Sequence, residues 1–153
     1  MSKMPRIVAI IAIVGGAFMI VAGGVTYYIV HRELADQHIT VSEDAKNFGG
    51  DSVSGPFTAY AQAMAIKGHA EEIGGGKTYA ELPQDDPNRQ TVLTASFLQA
   101  SLFTSVVAFG VAALVMGLGV LFILVGLAFL GIEKRLPATA PPPSAPSDVA
   151  VAA

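Results

Sequence analysis

The chain has 153 residues; 52% are hydrophobic and only 14% are Asp, Glu, Lys or Arg, where a soluble domain carries about 25%. With a mean hydropathy of +0.56, that balance places it among membrane proteins rather than soluble ones. A net charge of −3 gives nucleic acid no footing, and the lack of cysteine excludes a disulfide framework, a thiolate metal site and a thiol nucleophile.

The first uncharged stretch, Ile7 to Val30, is 24 residues long, with Lys3 and Arg6 before it and His31, Arg32 and Glu33 after it. A signal-peptide core is only about 7–15 residues. This one is longer, and Tyr27-Tyr28 stands where an interfacial aromatic belt belongs. The stretch reads as a retained transmembrane helix.

The connecting loop from His31 to Arg89 carries five cations against ten acids. Ile39-Thr40-Val41 predicts a short extended segment, and Gly49-Gly50 and Gly55-Pro56 are turn signals. A helix is expected from Pro56 to the Gly74-Gly75-Gly76 stop, with Phe57, Tyr60, Met64 and Ile73 as its apolar side. Thr78-Tyr79-Ala80-Glu81 has the capping-box form and predicts a short turn ending at Pro83.

From Gln90 to Ile132 no charged residue occurs over 43 positions, about twice what one crossing needs. Asp86-Pro87 is a good helix start. No Gly or Pro interrupts Asn88 to Phe109, so one helix from Pro87 to about Ile132 is expected. Counting back from Glu133-Lys134-Arg135 puts membrane entry near Val106 to Val111. What lies before is a stalk, with Thr91, Thr94, Ser101 and Ser105 on one side and Leu93, Phe97, Leu98 and Leu102 largely elsewhere. Those apolar residues need a cover, and the 57–73 helix is the natural one.

The expected fold is an all-α membrane protein: a two-helix transmembrane hairpin, a small helical extracytoplasmic domain, and a long second helix extending out of the bilayer. Its parts are a cytoplasmic N-terminus (1–6), a first span (7–30), an extracytoplasmic mini-domain (31–105, including the stalk 87–105), a second span (106–132) and a cytoplasmic disordered Pro/Ala tail (133–153). Positive charge at both ends, from Lys3, Arg6, Lys134 and Arg135, orients both termini to the cytoplasm.

Several residue groups invite a chemical reading. Gly76-Lys77-Thr78 resembles the end of a phosphate-binding loop, but Glu71 stands where its first glycine belongs. His31, His38 and His69 could ligate iron or zinc with a carboxylate, though only a first helix continuing past the membrane would put His31 and His38 on one face. Lys67, Glu71 and Glu72 read as a solvated helix face. Asp85-Asp86 cannot face each other as an acid/base pair requires. Neither span carries Asp, Glu, Lys, Arg or His, which argues against an ion or proton pathway.

Small residues say more. Ala9, Gly16 and Gly23 recur every seven residues in the first span; Gly110 and Gly117 do so in the second, with Gly119 and Gly126 on another face. That spacing lets helices approach closely. One second-span face would close the hairpin, and the other is left for a partner or another copy.

The segments GPFTAYAQA (Gly55–Ala63), GGKTYAEL (Gly75–Leu82), DDP (Asp85–Pro87) and TASFLQASLFTSVVAFGVAALVMGLG (Thr94–Gly119) carry a resemblance. Through them the chain resembles a family of short two-span actinobacterial membrane proteins, uncharacterised and often labelled aromatic ring-opening dioxygenase. Ring-opening dioxygenases are soluble iron enzymes, and this sequence has neither their soluble core nor their ligand set. The resemblance implies a lineage and a topology, not a mechanism.

The expectation is a non-enzymatic accessory or scaffold subunit of a larger bacterial inner-membrane complex, without catalytic residues, cofactor or metal. Its partners would be the lipid bilayer and either a larger membrane-protein complex or further copies of itself, with no nucleic acid. Alternatives are a ligand- or lipid-sensing module, motivated by Tyr60, Met64, Phe97 and Leu98, and a metal-dependent enzyme using the three histidines.

Overall fold

The computed structural model describes residues 4–135. Residues 1–3 of the expected N-terminal segment, and the expected Pro/Ala tail beyond residue 135, lie outside the described residues. Three helices make up the regular structure: α1 (Met4–Asp36), α2 (Pro56–Ile73) and α3 (Arg89–Arg135). Among the described residues there is no β-strand. α1 and α3 are each long and apolar enough to cross a membrane.

α1 has 33 residues and runs six beyond the expected span. It stops where His38, with φ of +52°, turns left-handed, while Gln37 and His38 donate their N–H groups to Leu34 O and Ala35 O. The expected extended segment at 39–41 pairs with 51–53 through a single antiparallel bridge, Thr40 to Ser52. Val41 N–H donates to Asp51 O at 2.8 Å and Val53 N–H to Ile39 O at 2.8 Å. This short arm drives Val41 and Val53 into the core.

α2 starts at Pro56, whose missing N–H costs nothing in a first turn. Gly55 has no side chain to cap with, so Thr58 Oγ1 accepts the N–H groups of Ser54 and Gly55, each at 3.2 Å. At the far end Asn88 Nδ2 donates to Ile73 O at 3.1 Å. The chain then reverses through Gly75 and Gly76, both at positive φ.

α3 has 47 residues, or about 70 Å at 1.5 Å per residue. Asp86 Oδ1 accepts the Asn88 N–H at 2.8 Å, and Arg89 N–H bonds Asp86 O at 3.1 Å. Pro87 and Asn88 therefore form a tight turn, and regular helix begins two residues later than expected. Arg89 anchors that start: its guanidinium lies 4.2 Å over the Tyr79 ring and donates to the carbonyls of Tyr79 and Leu82. The turn before Pro83 is held by Glu81, whose carboxylate accepts both the N–H and the hydroxyl of Thr78 at 2.8 Å.

α1 and α3 pack side by side, antiparallel, and α2 packs on the N-terminal part of α3. Where the three meet, a core forms from Leu34, Val41, Val53, Ala59, Ala63, Leu102 and Phe109. Gln62, the one buried polar side chain among the described residues, accepts hydrogen bonds from the Ser42 N–H at 2.8 Å and hydroxyl at 3.3 Å. It ties the loop to α2.

Two expectations need correction here. α2 covers α3 through Ala59 and Ala63, whereas Phe57, Tyr60, Met64 and Ile73 are exposed. The alanines let the two backbones approach; bulkier side chains on that face would hold them apart. On the stalk it is Val92 and Leu102 that are buried, while Phe97 and Leu98 are not.

Candidate functional site: an open helix face and a groove above it

The hairpin seam alternates large and small residues. On α3 the inward positions repeat as a heptad: Leu102, Phe109, Met116 and Ile123 in one row, Ser105, Ala112, Gly119 and Gly126 in the other, all buried or half-buried. α1 answers with Ala9, Gly16 and Gly23 in its small row, all buried. Each small residue faces a large one or a backbone. A Cβ at Gly23 would lie 2.8 Å from Ala112 O, and one at Gly126 would lie 2.7 Å from Ala9 O. Gly16 and Gly119 face each other: a Cβ on Gly119 would stand 2.6 Å from Gly16 O, and one on Gly16 would strike Gly119 O. This is the close backbone approach that small residues at heptad spacing permit.

Gly110 and Gly117 are not in that seam. A Cβ at either would meet nothing within 4 Å. Together with Val107 and Leu114, both exposed, they form one stripe along α3 at alternating three- and four-residue spacing. Phe103 is the next position up this stripe. Its ring meets that of Tyr60 edge-on, centroids 5.8 Å apart. The open α3 face is thus continuous with an exposed side of α2 carrying Phe57, Tyr60 and Met64.

Toward the α3 N-terminus, α2 and α3 do not close fully on each other. They leave a groove of about 380 Å³ lined by Ile66, His69, Ala70, Ile73, Gln90, Thr91, Thr94, Ala95 and Leu98. Of the four side chains expected to frame a pocket, only Leu98 lines it. Two hydroxyls of the stalk's polar side turn inward to their own helix: Thr94 Oγ1 donates to Gln90 O at 3.0 Å and Ser105 Oγ to Ser101 O at 3.3 Å. A helix with long apolar runs uses its hydroxyls this way when no other acceptor is near.

The histidines are not brought together. His31 Nδ1 is 2.6 Å from Ser54 O; a carbonyl only accepts, so Nδ1 carries the proton. His38 forms the α1 stop. His69 Nε2 lies 2.5 Å from Asp44 Oδ2. No three of His, Asp or Glu cluster among the described residues. Nor does Gly76-Lys77-Thr78 form a phosphate cradle, since the Glu81 carboxylate occupies the Thr78 N–H.

His69 and Asp44 latch the 42–48 loop to α2. Their hydrogen bond raises the His69 pKa above 6.5 and lowers that of Asp44 below 3.8. The His69 contribution is complete below its ordinary pKa and is lost as pH rises through the raised one; that of Asp44 is present above 3.8 and lost as pH falls through the lowered one. The latch therefore closes between the two values. Amide exchange in 42–48 is expected to quicken as pH rises through the His69 titration, beyond the intrinsic pH effect. His69→Ala should abolish that step. Both side chains are exposed, so the effect is local.

Two helices long and apolar enough to cross a membrane, closed on each other by glycines and capped by a third, define a helical hairpin as the class of this protein. The chain matches no protein-family model, no curated protein and no solved structure.

Proposed function

We propose that the protein is a non-enzymatic accessory or scaffold subunit of a larger bacterial inner-membrane complex, with α1 and α3 spanning the bilayer, both termini cytoplasmic, and α2 with its flanking loops outside. The kinship with short two-span actinobacterial proteins belongs to the same proposal. The observation that carries it is the open face of α3. Gly110 and Gly117 are left bare although the hairpin already has its own glycine seam. Lipid gains nothing from a notch, whereas a partner helix gains close backbone approach. The face also runs on to Phe103 and Tyr60, so a partner could engage both levels.

Purification in mild detergent tests this. The tagged wild-type chain is expected to bring down a stoichiometric membrane partner, and Gly110→Leu with Gly117→Leu should lose it while keeping the hairpin fold. Recovery of a lone monomer from wild type would sink the reading. Recovery of a homo-oligomer would transfer the face to self-association.

A second reading is a ligand- or lipid-sensing module, favoured by the groove between α2 and α3. It requires a small apolar molecule to co-purify with the wild-type chain. A bulky Ala95→Phe substitution in the groove wall should displace it. Native mass spectrometry that finds only bare protein would dispose of this alternative.

A further inference from the structure

We infer that the first turn of α2 is a lipid-facing foot: Phe57 rests in the interfacial layer of the leaflet on the α2 side, at nearly the height of Tyr27 and Tyr28. This rests on the two-span reading above. Phe57 is 75% exposed, the most exposed of the large apolar side chains among the described residues, and neither the hairpin nor the α2–α3 packing explains it.

Its height follows from the register of the helices. Tyr27 packs edge-on against Phe109, ring centroids 4.7 Å apart, so these residues share a level. Tyr60 packs against Phe103, six residues along α3, which is about 9 Å farther from the membrane centre. α2 runs antiparallel to α3, its C-terminal residues Ile66 to Ile73 lining the groove with Gln90 to Leu98. Phe57 therefore lies three residues back toward the bilayer from Tyr60, about 5 Å above the Tyr27 level. A second contact fixes the same height independently. His31 Nδ1 donates to Ser54 O at 2.6 Å, and His31 stands one helical turn, about 6 Å, above Tyr27.

The chemistry of that layer fits. α1 has no charged side chain from Ile7 to Val30, and the first charges after that stretch, Arg32 and Glu33, begin about 7.5 Å above Tyr27. Phe57 is thus between the tyrosine belt and the first charges, the depth at which aromatic rings partition. Helical side chains lean toward their own N-terminus, and the α2 N-terminus points at the bilayer. Pro56 needs no N–H partner there, and Thr58 satisfies the N–H groups of Ser54 and Gly55. The N–H groups of Phe57 and Thr58, which Gly55 cannot cap, suit the hydrated interfacial layer rather than the hydrocarbon core. Phe97, equally apolar and 67% exposed, lies six residues beyond Phe103, about 18 Å above the Phe109 level, and belongs to water or to a protein partner.

The chain has no tryptophan, so single-Trp variants report on one position each. Phe57→Trp, Phe97→Trp and the mid-span Phe18→Trp would be compared in phosphatidylcholine vesicles, with brominated acyl chains and with aqueous iodide as quenchers. Phe57→Trp is expected to emit to the blue of Phe97→Trp, to lose most iodide quenching, and to be quenched by lipid brominated near the headgroup. Quenching by iodide as strong as for Phe97→Trp, without quenching by lipid, overturns the foot. Protection from both quenchers also overturns it, since protein then covers the position. If Phe18→Trp itself escapes lipid quenching, the two-span reading fails first, and the foot with it.

Discussion

Gly119→Leu is expected to break the hairpin. The new Cβ would stand 2.6 Å from Gly16 O and 2.8 Å from the Ile20 side chain. Neither neighbour is a flexible tip that can step aside at no cost: one is a backbone carbonyl inside α1, the other a β-branched side chain with one preferred helical rotamer. The helices must separate, and separation strips contact from the whole seam because the same pairing recurs at Gly126 against Ala9 and at Gly23 against Ala112. The loss should reach about 3 kcal/mol or more, the upper end for overpacking. A shifted midpoint in SDS-driven unfolding from mild detergent measures it.

Gly117→Leu provides the contrast, two residues away. Nothing lies within 4 Å of its Cβ position, and Gly in a helix interior costs up to about 1 kcal/mol relative to better helix formers. The same scan should find it neutral or stabilising. A variant that folds as well as wild type yet loses its partner would separate the two glycine faces by function. Equal damage from Gly117→Leu and Gly119→Leu would mean that the seam is wrongly assigned.

The seven-residue spacing of small residues was legible in the sequence, because only backbone proximity makes such a repeat useful. Which of the two α3 faces closes the seam was not. Gly110/Gly117 and Gly119/Gly126 are equivalent as patterns, and the choice depends on the register with α1, set by Tyr27 on Phe109 and by the large-on-small alternation. The α2 ends were legible from Pro56 and the glycine triplet. Its buried face was not, because hydrophobicity favours Phe57 and Tyr60 while close packing on α3 favours Ala59 and Ala63. The latch between Asp44 and His69 joins residues 25 apart in sequence. It has no local signature, since a loop's return path is not written in its spacing. Gln62 could have been flagged: a single amide among alanines in an apolar helix is a polar group in need of partners.

Phe109→Ala should be the most damaging truncation in the chain. Phe109 is 1% exposed and, among the described residues, the largest of the fully buried side chains. It belongs at once to the hairpin seam, through Tyr27, and to the core that holds Val41 and Val53. Removing a buried phenyl ring costs about 3–5 kcal/mol. The cost should not fall evenly. Below Phe109 the glycine seam persists with its own backbone contacts, so α1 and α3 stay paired. Above it, the 39–53 arm is held by one β-bridge, a few loop hydrogen bonds and side chains that share a core with this ring. Hydrogen exchange should therefore accelerate strongly in 39–53 and at the start of α2, and little within α1 between Ala9 and Gly23. Uniform acceleration along both long helices would show instead that hairpin and cap unfold as one unit, and that the glycine seam has no stability of its own.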